Sequence, residues 1–168
     1  RAPARAARQS DQQHQDPGDM FLEDYSIGME KEFGNRQVTE EEVIRFAKEF
    51  DPQPFHIDPE AAGESMFGGI IASGWHTCAM LMRMLCDEFL LNDEGSLGSG
   101  GVDDIRWKMP VRPGDTLTVR SRVTEVRASE SKPDRGIVRS TYSIFNQNGD
   151  IVMTVSSMGF FKKRPAET

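Results

Sequence analysis

Residues 73–91 read SGWHTCAMLMRMLCDEFLL. Ser73 suits the N-cap of a helix opening at Gly74, because its hydroxyl can satisfy an amide that has no partner inside the helix. Between Gly74 and Leu91 only Arg83, Asp87 and Glu88 are charged, so this helix has no polar stripe. A helix of that kind is expected to be buried on most sides. It is the candidate centre of the core, and the other elements are read by how they enclose it.

Downstream the pattern turns to strands. Val102–Val111 is one candidate, closed by the turn Arg112-Pro113-Gly114-Asp115. Leu117, Val119 and Val123 keep a period of two through a second, Thr116–Val126. Ile137–Phe145 and Ile151–Phe161 flank Asn148-Gly149, the strongest short hairpin signal. The glycine-rich stretch 92–101 is expected to be a mobile loop that gates a channel. It lacks the Gly-Lys-Ser/Thr ending of a phosphate loop.

Upstream, Thr39 and Glu42 fit a capping box. Val43, Phe46, Ala47 and Phe50 then form one helical face. Pro52 and Pro54 disfavour helical geometry at the residues before them, which places the helix end near Phe50. Asp58-Pro59 reads as the cap and first position of a further short helix. The expected fold class is α+β: a single domain, with an antiparallel meander wrapped around the long helix.

The whole chain sets the outer limits. Its 168 residues are 37% hydrophobic and 28% charged, enough to build one domain with its own core. Two cysteines exclude a disulfide-dense scaffold. Cys78 and Cys86 would lie about 12 Å apart along a helix, too far to bridge. No run approaches the roughly 18 apolar residues of a membrane span. A net charge of −7 argues against general nucleic-acid binding. These features point to a cytoplasmic setting with no membrane or nucleic-acid partner. Residues 1–19 carry three Arg, four Gln and two Pro and no apolar run, so they are expected to be a disordered tail before a domain over 20–168.

The chemistry concentrates in Asp51-Pro52-Gln53-Pro54-Phe55-His56-Ile57-Asp58. Histidine is the natural proton-transfer group near neutral pH, and a carboxylate is its usual companion. Two prolines between Asp51 and His56 stiffen the connection just after a helix. The same residues are compatible with a plain helix stop, since the extended span reaches ~17 Å.

At this segment the chain resembles the MaoC-like dehydratases, the (R)-specific enoyl-CoA hydratases of the hotdog fold. Their pattern is Asp-x-Asn-Pro-x-His with Ala or Ser six residues later. Asp51, Pro54, His56 and Ala62 match it. Gly69–Gly74 resembles the lead into the family's central helix, and the Arg-Pro-Gly-Asp turn is similar too. The resemblance runs from about Met20 to Lys163. Three positions depart from it: Gln53 replaces the Asn, and Glu49-Phe50 replaces a small-Gly pair.

The resemblance implies a hydro-lyase acting on an acyl thioester, carried by coenzyme A or a carrier protein. Asp51 and His56 would activate water, and the Gly74 amide would stabilise the thioester oxyanion. Gln53, Phe55, Ser73 and Trp75 are the flanking candidates for substrate binding. The resemblance implies a homodimer or dimer of dimers, and no cofactor beyond the coenzyme A of the substrate; no metal is expected, because the chain has no Cys-x-x-Cys or His-Glu-x-x-His. Fatty acid metabolism is the expected setting, with polyester-precursor and branched-acid roles open beside it.

Two other functions fit the fold. A hotdog thioesterase would use a carboxylate near the central helix, but Asp87 and Glu88 lie ~20 Å from its start. A non-catalytic acyl-binding or assembly subunit would have no need of the Asp/His pair. Substrate phosphates would require a basic cluster, either Arg106, Lys108 and Arg112 or Lys162, Lys163 and Arg164. His76 reads as a structural or rim residue, and Met80, Met82 and Met84 as core or acyl-pocket lining.

Overall fold

The computed structural model describes residues 18–91 and 93–166. The expected tail lies outside these residues except for Gly18 and Asp19, and the Asp19 carboxylate accepts the Glu94 amide at 2.9 Å. A single 3-10 turn, Leu22–Asp24, leads into β1 (Glu30–Gln37), α1 (Glu40–Phe50), α2 (Pro54–Ile57), α3 (Pro59–Glu64) and α4 (Gly74–Leu85). Then follow β2 (Gly101–Trp107), β3 (Thr116–Ala128), β4 (Arg135–Phe145) and β5 (Ile151–Lys162). The five strands form one antiparallel sheet in the order β1-β3-β4-β5-β2, with α4 packed on it. This is the hotdog arrangement.

Local signals account for most boundaries. Thr39 and Glu42 make the reciprocal capping box of α1, and the Asp58 carboxylate caps α3 at the Glu60 and Ala61 amides. Gly149 sits at φ +80 in the β4–β5 hairpin, where a side chain would be strained. Leu117, Val119, Ile144, Val152 and Met153 are fully enclosed between sheet and helix.

Five expectations need correction. First, only β3, β4 and β5 form a meander; β2 crosses to pair with β5, and β1 pairs with β3. Strand β1 itself has no sequence signature, because Phe33 is its sole buried residue and charged or polar residues and Gly34 occupy the rest. Second, the strand expected over Val102–Val111 ends at Trp107, and Pro110 cannot donate to a ladder. Third, Phe50 leaves the core, 65% exposed and tilted against Phe46.

Fourth, α4 is buried along one face only. The sheet and α1 cover that face, leaving Trp75 59% and Met82 47% exposed. Beyond Leu85 the coil widens to a π-turn, Cys86–Leu90, closed by the Leu91 amide on the Cys86 carbonyl. Fifth, the stretch after it is not a free loop. Leu97 donates to the Phe160 carbonyl, Phe160 to Gly98 and Lys162 to Gly95, so this stretch is laced along β5. Among the described residues no helix is long and apolar enough to cross a membrane.

Candidate active site

Helix α1 delivers Asp51 as its closing residue, with the Asp51 amide on the Ala47 carbonyl at 2.9 Å. Pro52 and Pro54 hold Asp51 and Gln53 out of helical geometry, and Gln53 caps the single turn α2. That turn swings His56 back toward Asp51. His56 is buried, and its Nδ1–H donates to the Ile71 carbonyl at 2.7 Å. The other ring nitrogen, Nε2, then faces Asp51 Oδ2 at 3.3 Å. The two residues the sequence offers as an acid–base pair therefore do converge.

Asp51 is held from both sides. Gln53 Nε2 donates to Oδ1 at 2.7 Å, and the Ser73 hydroxyl donates to Oδ2 at 2.7 Å. Burial pulls the Asp51 carboxyl up, but the bonds from Ser73 and Gln53, with the charge of His56, outweigh it and leave it below the ordinary carboxylate value. Gln53, longer than the Asn of the family pattern, thus binds the carboxylate two residues away.

Both groups open on a cleft of about 440 Å3. Gln53 and Trp75 line it, as does Gly74 at the first position of α4. Phe55 and Ser73 do not. Phe55 packs edge-on against the His56 ring at 4.5 Å, and Ser73 is fully enclosed. Among the described residues the Gly74 amide has no acceptor, as befits the first turn of a helix, and the helix dipole there favours negative charge.

The far wall consists of Trp107, Lys108, Met109, Pro110 and Val111, which sequence reading treats as the run of a strand. Trp107 Nε1 donates to the Gly74 carbonyl at 3.0 Å, and its indole lies against the Gly74 Cα. A methyl group there would collide with Trp107 Cε2, so a larger residue fits only if the indole shifts. An aromatic residue just before Lys-Met-Pro is the only trace of this wall in the sequence.

Trp75 borders a second space, an apolar cavity of about 470 Å3 between α4 and the sheet. Cys78, Leu81, Met82, Leu85 and Phe89 line it from the helix side. Met80 and Met84 instead belong to the packed core. Of the basic groups, Lys108 lines the cleft and Arg112 bonds the carbonyl of Phe67, another cleft residue. Arg164 is bound to Asp24.

His76 points away from the site and stacks flat on Phe46, 4.6 Å between ring centres. Among the described residues no three His, Cys, Asp or Glu side chains gather as metal ligands do.

The chain is similar in sequence and fold to known proteins. The solved MaoC-like dehydratase of Rhodospirillum rubrum superposes with a TM-score of 0.80 at 41% identity, covering 88% of this chain and 99% of that one. The (R)-hydratase of A. caviae involved in PHA biosynthesis gives 0.64 at 27% identity, over 84% and 98% of the two chains. The 3-hydroxyacyl-thioester dehydratase Z of Mycobacterium tuberculosis is 32% identical over 107 residues, 63% of this chain and 68% of its own length. The profile of the MaoC-like domain matches residues 24–143, and with the sheet, the central helix and the Asp/His turn in place the chain belongs to the MaoC-like dehydratase family.

Proposed function

We propose that this protein catalyses the reversible addition of water to a trans-2-enoyl thioester, giving an (R)-3-hydroxyacyl thioester of coenzyme A or an acyl carrier. The observation that carries this reading is the 3.3 Å approach of His56 Nε2 to Asp51 beside the unpaired first amide of α4. In hydration, the Asp51 carboxylate takes one proton from a water as its oxygen bonds to C3. The C2=C3 electrons shift toward the thioester carbonyl, and the Gly74 N–H meets the charge that develops on its oxygen. His56 Nε2–H returns a proton to C2. The proton on Asp51 then crosses to His56, so one water is consumed and both side chains are restored.

The apolar cavity beyond Trp75 would take the acyl chain, and Lys108 and Arg112 stand where the phosphates of the thiol arm would leave the cleft. The (R) outcome is supported by likeness to the A. caviae hydratase. No cofactor enters beyond the substrate's own coenzyme A.

The test is loss of enoyl-thioester absorbance with crotonyl-CoA and longer trans-2-enoyl-CoAs, with chiral analysis of the product and a free-thiol assay. Turnover to the (R) product is expected. Asp51→Asn and His56→Ala should each lower it by roughly 100- to 10,000-fold. Thiol release without hydration would mean a thioesterase. Acyl-CoA binding without turnover by any of these substrates would mean a non-catalytic subunit.

A further inference from the structure

Among the described residues, Ser73 is the one polar side chain hydrogen-bonded to both Asp51 and the first turn of α4. Its hydroxyl donates to Asp51 Oδ2 at 2.7 Å and accepts the Trp75 amide at 3.3 Å, which makes it the N-cap of α4. It is 0% exposed, so neither bond competes with water. A serine hydroxyl has one proton to give, and here that proton goes to the carboxylate while a lone pair serves the helix.

We infer that Ser73 is a positioning residue that joins the base Asp51 to the first turn of α4, so that the carboxylate and the Gly74 amide form one rigid unit. The consequence is geometric. Water addition needs the attacked carbon and the thioester oxygen, three bonds further along the substrate, to meet Asp51 and Gly74 simultaneously. Twenty-two residues separate Asp51 from Ser73, so chain connectivity alone does not set that spacing. The hydroxyl does. It also leaves the carboxylate ionised, so Asp51 works as proton acceptor and His56 carries the proton to be returned.

This inference rests on the hydration reading for its kinetic test and on the Asp51 contact alone for its spectroscopic one. Ser73→Ala should lower kcat about 10- to 100-fold with KM changed less than about threefold, as for loss of a hydrogen bond to a charged group. The acid limb of the pH profile should move to higher pH, because Asp51 loses a donor that favours its ionised form. Ser73→Thr, which keeps the hydroxyl, should restore both.

Thr39→Ala removes the equivalent cap from α1, far from the cleft, and should change neither kinetic quantity. The Asp51 carboxylate, followed by carbon NMR in labelled protein, should titrate at higher pH in Ser73→Ala than in wild type. An unchanged titration midpoint with activity within twofold of wild type would overturn the inference. If wild type turns over no enoyl thioester, the hydration reading fails while the NMR titration still decides the role of Ser73.

Discussion

A buried histidine whose Nδ1–H is committed to a backbone carbonyl has a single face left for chemistry. In His56 that face looks at Asp51; in His76 the ring instead lies flat on Phe46, with Nδ1 buried and unpartnered among the described residues. Burial lowers the His76 imidazole below its ordinary value, with Glu42 opposing and Arg36 and Arg45 reinforcing the shift. The unfolded chain therefore takes up a proton as pH falls through about 6.5, while the folded chain resists until lower pH. His76 thus contributes stability above that value and loses it on acidification. The urea midpoint should fall between pH 7.5 and 5.5, and fall less in His76→Phe, which keeps the stack. An equal fall in both proteins would assign the acid sensitivity to another group. Asp51, held below the ordinary carboxylate value, destabilises only at far lower pH, outside that window.

At the scale of elements, the decisive contact is the end of β2 against the start of α4. Gly74→Ala retains the backbone amide but drives a methyl into the Trp107 indole. Activity should drop at least about tenfold, with the far-UV spectrum unchanged, and Gly74→Ala/Trp107→Leu should recover part of it by making room. Retained activity in the single variant would show that the indole moves freely.

This contact also marks where the sequence stops being readable. Thr39–Glu42, Asp58-Pro59, Ser73 and Asn148-Gly149 announce themselves because each cap or turn is made within a few residues. Strand β1 is silent because an edge strand with one buried side chain has no alternation to show. The Asp51–His56 pair is legible as residue types within five positions. The Ser73 and Ile71 bonds that aim it, 22 and 15 residues away, are tertiary and leave no local pattern.

At the scale of the molecule, one sheet and one long helix leave surface uncovered. Among the described residues strand β2 pairs with β5 alone, and it carries Val102, 54% exposed, which lines the apolar cavity with Trp75 and Met82 of α4. A free strand edge next to apolar side chains is a template for a second strand. The homodimer that the family resemblance implies would pair β2 with its copy. Light scattering should then give twice the chain mass of 18.9 kDa, and Val102→Pro should shift the protein toward monomer. A monomeric mass for wild type at micromolar concentration would rule this pairing out.

The bonds between Phe55–His56 and Ile71 have an effect of a different kind. The Ile71 amide donates to the Phe55 carbonyl as His56 Nδ1 donates to the Ile71 carbonyl, so the segment from 57 to 70 is clasped at both ends. Its outer bend, where Met66 is 92% exposed and Gly68 takes φ +66, lies beyond the clasp. The entropic cost of closing a loop grows only as the logarithm of its length. Insertions at that bend can therefore accumulate over descent and reshape the rim of the cleft, while the proton-handling geometry beneath is inherited unchanged.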